Sequence, residues 1–160
     1  MNNKFNFIKT VTAQAHCDVP CGVYDPTPAK IAAKTVLRMV LQLKDVHGPK
    51  EWSDHAATVG YVSMVGRRIA VKEEHAERCK WELSILWSDF FKEEHLAKFP
   101  ELHGVFWKAA KLCSKNKQEV NEEAAKQLVS AVDDIAKMFY EAKGDPGRFD
   151  AYKAVTDKLF

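Results

Sequence analysis

Residues 16–26 read His-Cys-Asp-Val-Pro-Cys-Gly-Val-Tyr-Asp-Pro, a concentration of donors that could bind a metal. Were the chain cut after Ala15, His16 would carry a free α-amine. That amine and the amide nitrogen of Cys17 would close a five-membered ring around a metal ion, and the same amide with the Cys17 thiolate a second. Pro20 and Gly22 allow the chain to curl so that the Cys21 thiolate reaches the fourth corner. The product is a planar site of two nitrogens and two sulfurs, with the His16 imidazole beside the plane as an axial ligand. Square-planar nitrogen ligation suits Ni(II) or Cu(II), and thiolates add soft donors. Three other readings of the same spacing stay open. It fits a partial zinc site, although a closed one wants four ligands and no second Cys/His cluster follows. It fits a redox dithiol, whose usual spacing is Cys-x-x-Cys. It also fits two cysteines in a loop with no chemistry at all.

An α-amine ligand demands a cut before His16, and what precedes it suits one. Residues 1–15, MNNKFNFIKTVTAQA, hold two lysines, no acid, a short apolar stretch (Phe5, Phe7, Ile8) and a small-residue ending. That resembles a processed leader. As a secretory signal it is poor, because Asn6 interrupts the apolar stretch. The other cysteines, Cys79 and Cys113, fall in helical stretches and read as small buried hydrophobes. His47, His55, His95 and His103 read as surface or packing residues, and the four tryptophans as core and interface packing.

The elements that must position this segment are helical. Thr27 can cap a helix with Pro28 at its first position, running to about Asp45 with Val36, Val40 and Leu43 on one face. Ser53 can cap a second, to about Phe91, whose seam is Val62, Val65, Ile69, Ala76, Cys79, Leu83, Leu86 and Phe90, with one gap at Lys72. Pro100 suits the start of a third, with Phe99, Leu102, Phe106, Ala109 and Cys113 at helical spacing. Asn121 opens a fourth, with seam residues Ala124, Leu128, Ala131, Ile135, Met138 and Ala142, and Gly144 suits its end. Four such helices with short links predict an all-α protein, an antiparallel four-helix bundle with an N-terminal metal-binding hook. The expected organisation is a cleavable leader (1–15), the hook (16–26), the bundle (27–144) and a tail (145–160) with its own apolar face, able to form a short helix or lie at an interface.

Composition agrees and excludes other classes. The 160 residues fit one domain, and 46% apolar with 29% charged residues is globular composition. Seven glycines and six prolines are too few for an all-β chain of tight turns. The net charge of +2 comes from Lys4 and Lys9, so the body is neutral and offers no broad basic face to nucleic acid. No run of about 18 apolar residues exists to span a membrane.

HCDVPCGVYDP closely resembles the nickel hook of the nickel-containing superoxide dismutases. Leu86-Trp87-Ser88-Asp89-Phe90-Phe91-Lys92 and Phe99-Pro100-Glu101-Leu102-His103 resemble further segments of that family, and the resemblance runs from 16 to about 143. It implies a four-helix bundle assembled as a homohexamer, a propeptide removed by a protease immediately before His16, and one nickel ion per subunit. The implied activity is disproportionation of superoxide to O2 and H2O2 by Ni(II)/Ni(III) cycling. The metal ligands it implies are His16, Cys17 and Cys21, with Tyr24 standing over the open face to admit and orient the small anion. Asp18 matches a hook residue near that approach, and the Val19–Pro20 bond is expected to be cis. The expected location is cytoplasmic. The alternative is a nickel- or zinc-binding helical module without catalysis.

The departures from the family pattern lie around the hook. Family members hold the axial imidazole with a Glu from the first helix and an Arg from the second, and the aligned positions here are Ala32 and His75. A second tyrosine near the pocket is replaced by Phe90. His75 is therefore the candidate to contact His16, beside its reading as an exposed residue of a charged run.

Overall fold

A computed structural model describes residues 22–160. Among them are five α-helices: α1 (Thr27–Lys44), α2 (His55–Ile85), α3 (Leu102–Gln118), α4 (Glu122–Ala142) and α5 (Arg148–Thr156). α2 continues into a π-helical turn, Leu86–Phe90, and a 3-10 turn, Glu93–Ala97, leads toward α3. Helices α1 and α3 each pack against both α2 and α4, which closes a four-membered antiparallel ring. The seam predicted for α3 is buried, and of that predicted for α4 so are Ala124, Leu128, Ile135 and Met138; Ala131 and Ala142 are partly buried, and Val132 and Phe139, outside the predicted seam, complete the core.

Helix starts follow the hydrogen bonds available to their first amides. Asn121 Oδ1 accepts from Ala124 N at 3.0 Å, as the sequence predicts for α4. For α2 the cap is Asp54 rather than Ser53; its Oδ1 accepts from Ala57 N at 3.0 Å. Thr27 does not cap α1 but lies inside it, and Asp25 Oδ1 accepts from Thr27 N at 2.8 Å. In both cases a carboxylate, favoured at the positive end of the helix dipole, takes the place assigned to a hydroxyl. Gly144, with φ +75°, ends α4 in the left-handed conformation, and Asp145 N donates back to Tyr140 O at 3.0 Å.

Lys72 is no gap in the seam of α2. It is buried, and its ammonium donates to Asn116 O and to Lys117 O, the latter at 3.0 Å. These are carbonyls of the last turn of α3, where the helix dipole is negative. Burial lowers the Lys72 pKa, with the nearby Glu73 carboxylate opposing. Because α3 ends at this level, residues 55–71 of α2 run on past it for about 25 Å. There Val62 of the predicted seam is exposed and Val65 and Ile69 are only half-buried, so the seam is fully buried only from Lys72 to Leu86.

A second buried cation ties the C-terminal segment to the bundle. Lys30 of α1 is fully buried; its Nζ lies 2.5 Å from Asp133 Oδ1 and 3.4 Å from Asp157 Oδ1. Lys153 of α5 reaches Asp133 Oδ2 at 2.8 Å and Asp157 Oδ2 at 2.9 Å. Removing one partner of a buried ion leaves the other uncompensated. Asp133→Asn should therefore cost roughly 3 kcal/mol in urea unfolding. A loss under about 1 kcal/mol, the worth of an exposed pair, would show that Asp157 suffices for Lys30.

Candidate functional site

His16, Cys17, Asp18, Pro20 and Cys21, and with them the Val19–Pro20 bond, lie outside the described residues. What is described is the exit of the hook and the ground it stands on. Gly22 has φ +70°, a left-handed conformation that strains any residue with a Cβ, so the turn after Cys21 requires glycine.

Two consecutive α4 residues reach the next two functional positions by separate routes. Tyr24 packs on Phe90 with ring centroids 5.9 Å apart, and Phe90 packs on Phe139 at 4.4 Å. The phenol of Tyr140 donates to Asp25 Oδ2 at 3.3 Å, while the other oxygen of Asp25 caps α1. Burial and the adjacent Asp25 carboxylate push the Tyr140 pKa up to about 12, so its hydroxyl keeps the proton it donates. Phe90 sits where the family pattern has a tyrosine, and its apolar ring is surrounded by Tyr24, Phe91, His95 and Phe139.

Beside Tyr24 lies a cavity of about 190 Å³ lined by Val23, Tyr24, Asp25, Pro28, Glu82, Ile85 and Leu86. Glu82 and Asp25 are its carboxylates. Neither these, nor Phe139 and Tyr140, are singled out by the sequence. Asp25 had a signal in its Asp-Pro-Thr-Pro setting, which suits a helix entry. Glu82 had none, since it lies in the charged face of a long helix.

Ala32 is buried in α1. His75 is half-buried on α2, and its Nδ1 lies 2.9 Å from Val71 O. A carbonyl only accepts, so Nδ1 is the donor in this contact and Nε2 is the ring nitrogen left over.

The remaining candidates resolve as packing and surface residues. His103 Nδ1 accepts from Trp87 Nε1 at 2.9 Å, and His95 Nδ1 accepts from Lys92 N at 2.9 Å. His47 and His55 are exposed. Cys79 and Cys113 are free, fully buried thiols. A hydrogen bond with Cys113 and burial push the Cys79 thiol well up, away from the thiolate a metal needs. Among the described residues no group of three His, Cys, Asp or Glu side chains could hold a metal ion. The tryptophans are not core residues: Trp52, Trp81 and Trp107 are more than half exposed, and only Trp87 stacks inward, on Phe106 at 5.8 Å.

The described residues form an all-α helical bundle. The chain matches the nickel-containing superoxide dismutase family over residues 11–143. It is 35% identical over 137 residues to the superoxide dismutase [Ni] of Streptomyces coelicolor, which covers 86% of this chain and 95% of that protein. The enzyme of the same name from Streptomyces seoulensis is 34% identical over the same length. A solved native nickel superoxide dismutase superposes with a TM-score of 0.66 at 33% identity, covering 80% of this chain and 99% of that one. A second solved structure, with nickel ligation after partial X-ray-induced reduction, also gives 0.66, at 32% identity and over 81% and 99% of the two chains. The chain belongs to the nickel-containing superoxide dismutase family.

Proposed function

We propose that this chain disproportionates superoxide to O2 and H2O2 at a nickel ion held by its N-terminal hook, one per subunit. The observation that carries the reading is the unbroken HCDVPCGVYDP segment at the head of a chain that matches the family over 11–143. The donor set fits the metal: two thiolates, an amide nitrogen and an amine are the soft and strong-field ligands of a planar nickel site. His16 supplies the α-amine and the axial imidazole, Cys17 its amide nitrogen and sulfur, and Cys21 its sulfur. When bound, the ion supplies one-electron cycling between Ni(II) and Ni(III).

The other residues bind and orient. Tyr24 is held by its packing on Phe90 and borders the cavity at the hook exit, which suits a gate for a small anion. Asp18 and Pro20 shape the hook before it. With Ala32 in place of an acid, Nε2 of His75 is the acceptor we assign to the His16 ring. Family resemblance supports a homohexamer and a separate processing protease. No helix among the described residues is long and apolar enough to cross a membrane, and the broken apolar stretch of the leader supports a cytoplasmic location.

The test is the natively produced protein: its intact mass, its metal content and its superoxide turnover. A chain beginning at His16, holding nickel and turning over superoxide, is expected. Processed, metal-loaded protein without turnover would return the alternative of a nickel- or zinc-binding helical module. Processed protein that takes up no nickel would overturn the reading altogether.

The gate makes a separate prediction. Tyr24→Phe should bind nickel at the wild-type level and change KM or product inhibition more than metal content. A folded but nickel-free Tyr24→Phe protein would make the tyrosine part of the hook's framework instead.

A further inference from the structure

The family match ends at residue 143, and the C-terminal helix α5 (Arg148–Thr156) lies beyond it. This helix is firmly seated. Tyr152 is buried, with its hydroxyl 3.4 Å from Asp133 Oδ1, and Lys153 is paired with Asp133 and Asp157. Its inner face covers one residue of α4 in particular. The Tyr152 ring lies 5.8 Å from that of Tyr140, and the Arg148 guanidinium lies 6.0 Å from the same ring. Tyr140, only 3% exposed beneath this cover, is the residue that donates to Asp25, three positions after Gly22. A continuous path of contact therefore joins the last helix to the exit of the hook.

We infer that α5 is a positioning element for the metal hook, acting through Tyr140 on Asp25. This rests on the reading of residues 16–21 as the nickel hook. Asp25 is the last residue before α1 begins to turn, and each of its two oxygens is engaged: one fixes the first amide of α1, the other is held by α4. Without the phenol, Asp25 loses its tie to α4, and its hold on the Thr27 amide, the first of α1, loosens with it, so the segment that leaves the bundle toward residue 22 is set by one contact fewer. The Tyr152 ring, 5.8 Å from that of Tyr140, backs it on the side of α5. α5 thus has a task at the metal end, although none of its residues is a ligand.

Two point variants of the full processed chain test this, each conserving bulk so that the bundle survives. Tyr140→Phe removes only the donor. Tyr152→Leu removes the ring that backs Tyr140. Amide hydrogen exchange is read on nickel-free protein over residues 22–27, with residues 105–113 in the middle of α3 as the internal standard, and nickel release to a chelator is then timed on loaded protein. Loss of a hydrogen bond to a charged acceptor should speed exchange over 22–27 by roughly tenfold in Tyr140→Phe. Tyr152→Leu should give a smaller rise in the same segment, with 105–113 unchanged in both, and nickel release should quicken in the same order. Unchanged exchange over 22–27 in either variant overturns the proposal. So does faster exchange there with wild-type nickel release, because the contact would then not reach the metal. Failure of the unsubstituted chain to bind nickel or turn over superoxide would instead overturn the functional reading, and the exchange data on nickel-free protein distinguish the two.

Discussion

Cys17→Ser and Cys21→Ser should each lose nickel and, with it, superoxide turnover down to the uncatalysed background. The reason is the donor. A thiolate is soft and polarisable and stabilises the higher oxidation state of a late transition metal, whereas a serine hydroxyl is hard and stays protonated at neutral pH. The two other cysteines form the control. Cys79 and Cys113 are fully buried between α2 and α3, and their mutual hydrogen bond keeps the Cys79 proton in place. Cys79→Ala and Cys113→Ala should keep full nickel content and lose only packing, about 1 kcal/mol or somewhat more. Metal analysis and stopped-flow decay of superoxide on the four variants check the whole set. Nickel lost from either alanine variant would place the site elsewhere in the chain.

The second large effect belongs to the leader. Protein that still begins at Met1 should show no superoxide turnover, because residue 15 converts the α-amine of His16 into an amide. An amine offers a lone pair at neutral pH. A backbone amide offers one only after deprotonation, so one corner of the planar site is lost. Trimming the same preparation to His16 and adding nickel should restore activity without refolding, since the first described helix begins at Thr27, well past the leader. The check is intact mass and turnover on one sample before and after trimming. Full activity from a verified Met1 terminus would sink the α-amine as a ligand.

The helices were legible where their periodicity met a complete partner. α3 and α4 face full-length neighbours, so the apolar spacing from Phe99 to Cys113 and from Ala124 to Met138 is also the pattern of burial. α2 was legible only in its second half. Its first half outruns α3, and the same spacing there leaves Val59 and Val62 in solvent. Periodicity reports an amphipathic surface; whether a partner covers it depends on the lengths of other helices. The lysines show the converse. Lys30 and Lys72 are read from sequence as charge, yet both are buried, because Asp133 and the carbonyl end of α3 stand opposite them.

The sequence by itself carries the chemistry proposed for the metal site: the types and order of donors in residues 16–21, the need for an amine terminus, the glycine at 22 and the family they point to. Such ligands are neighbours along the chain, so their spacing is their geometry. Tertiary structure alone decided what surrounds the hook. Asp25 meets Tyr140 across 115 positions of sequence, Tyr24 rests on Phe90, and Glu82 borders the cavity beside it. Only antiparallel packing of α1, α2 and α4 brings these groups to one end of the bundle, and no local pattern encodes which turn of one helix will face which turn of another.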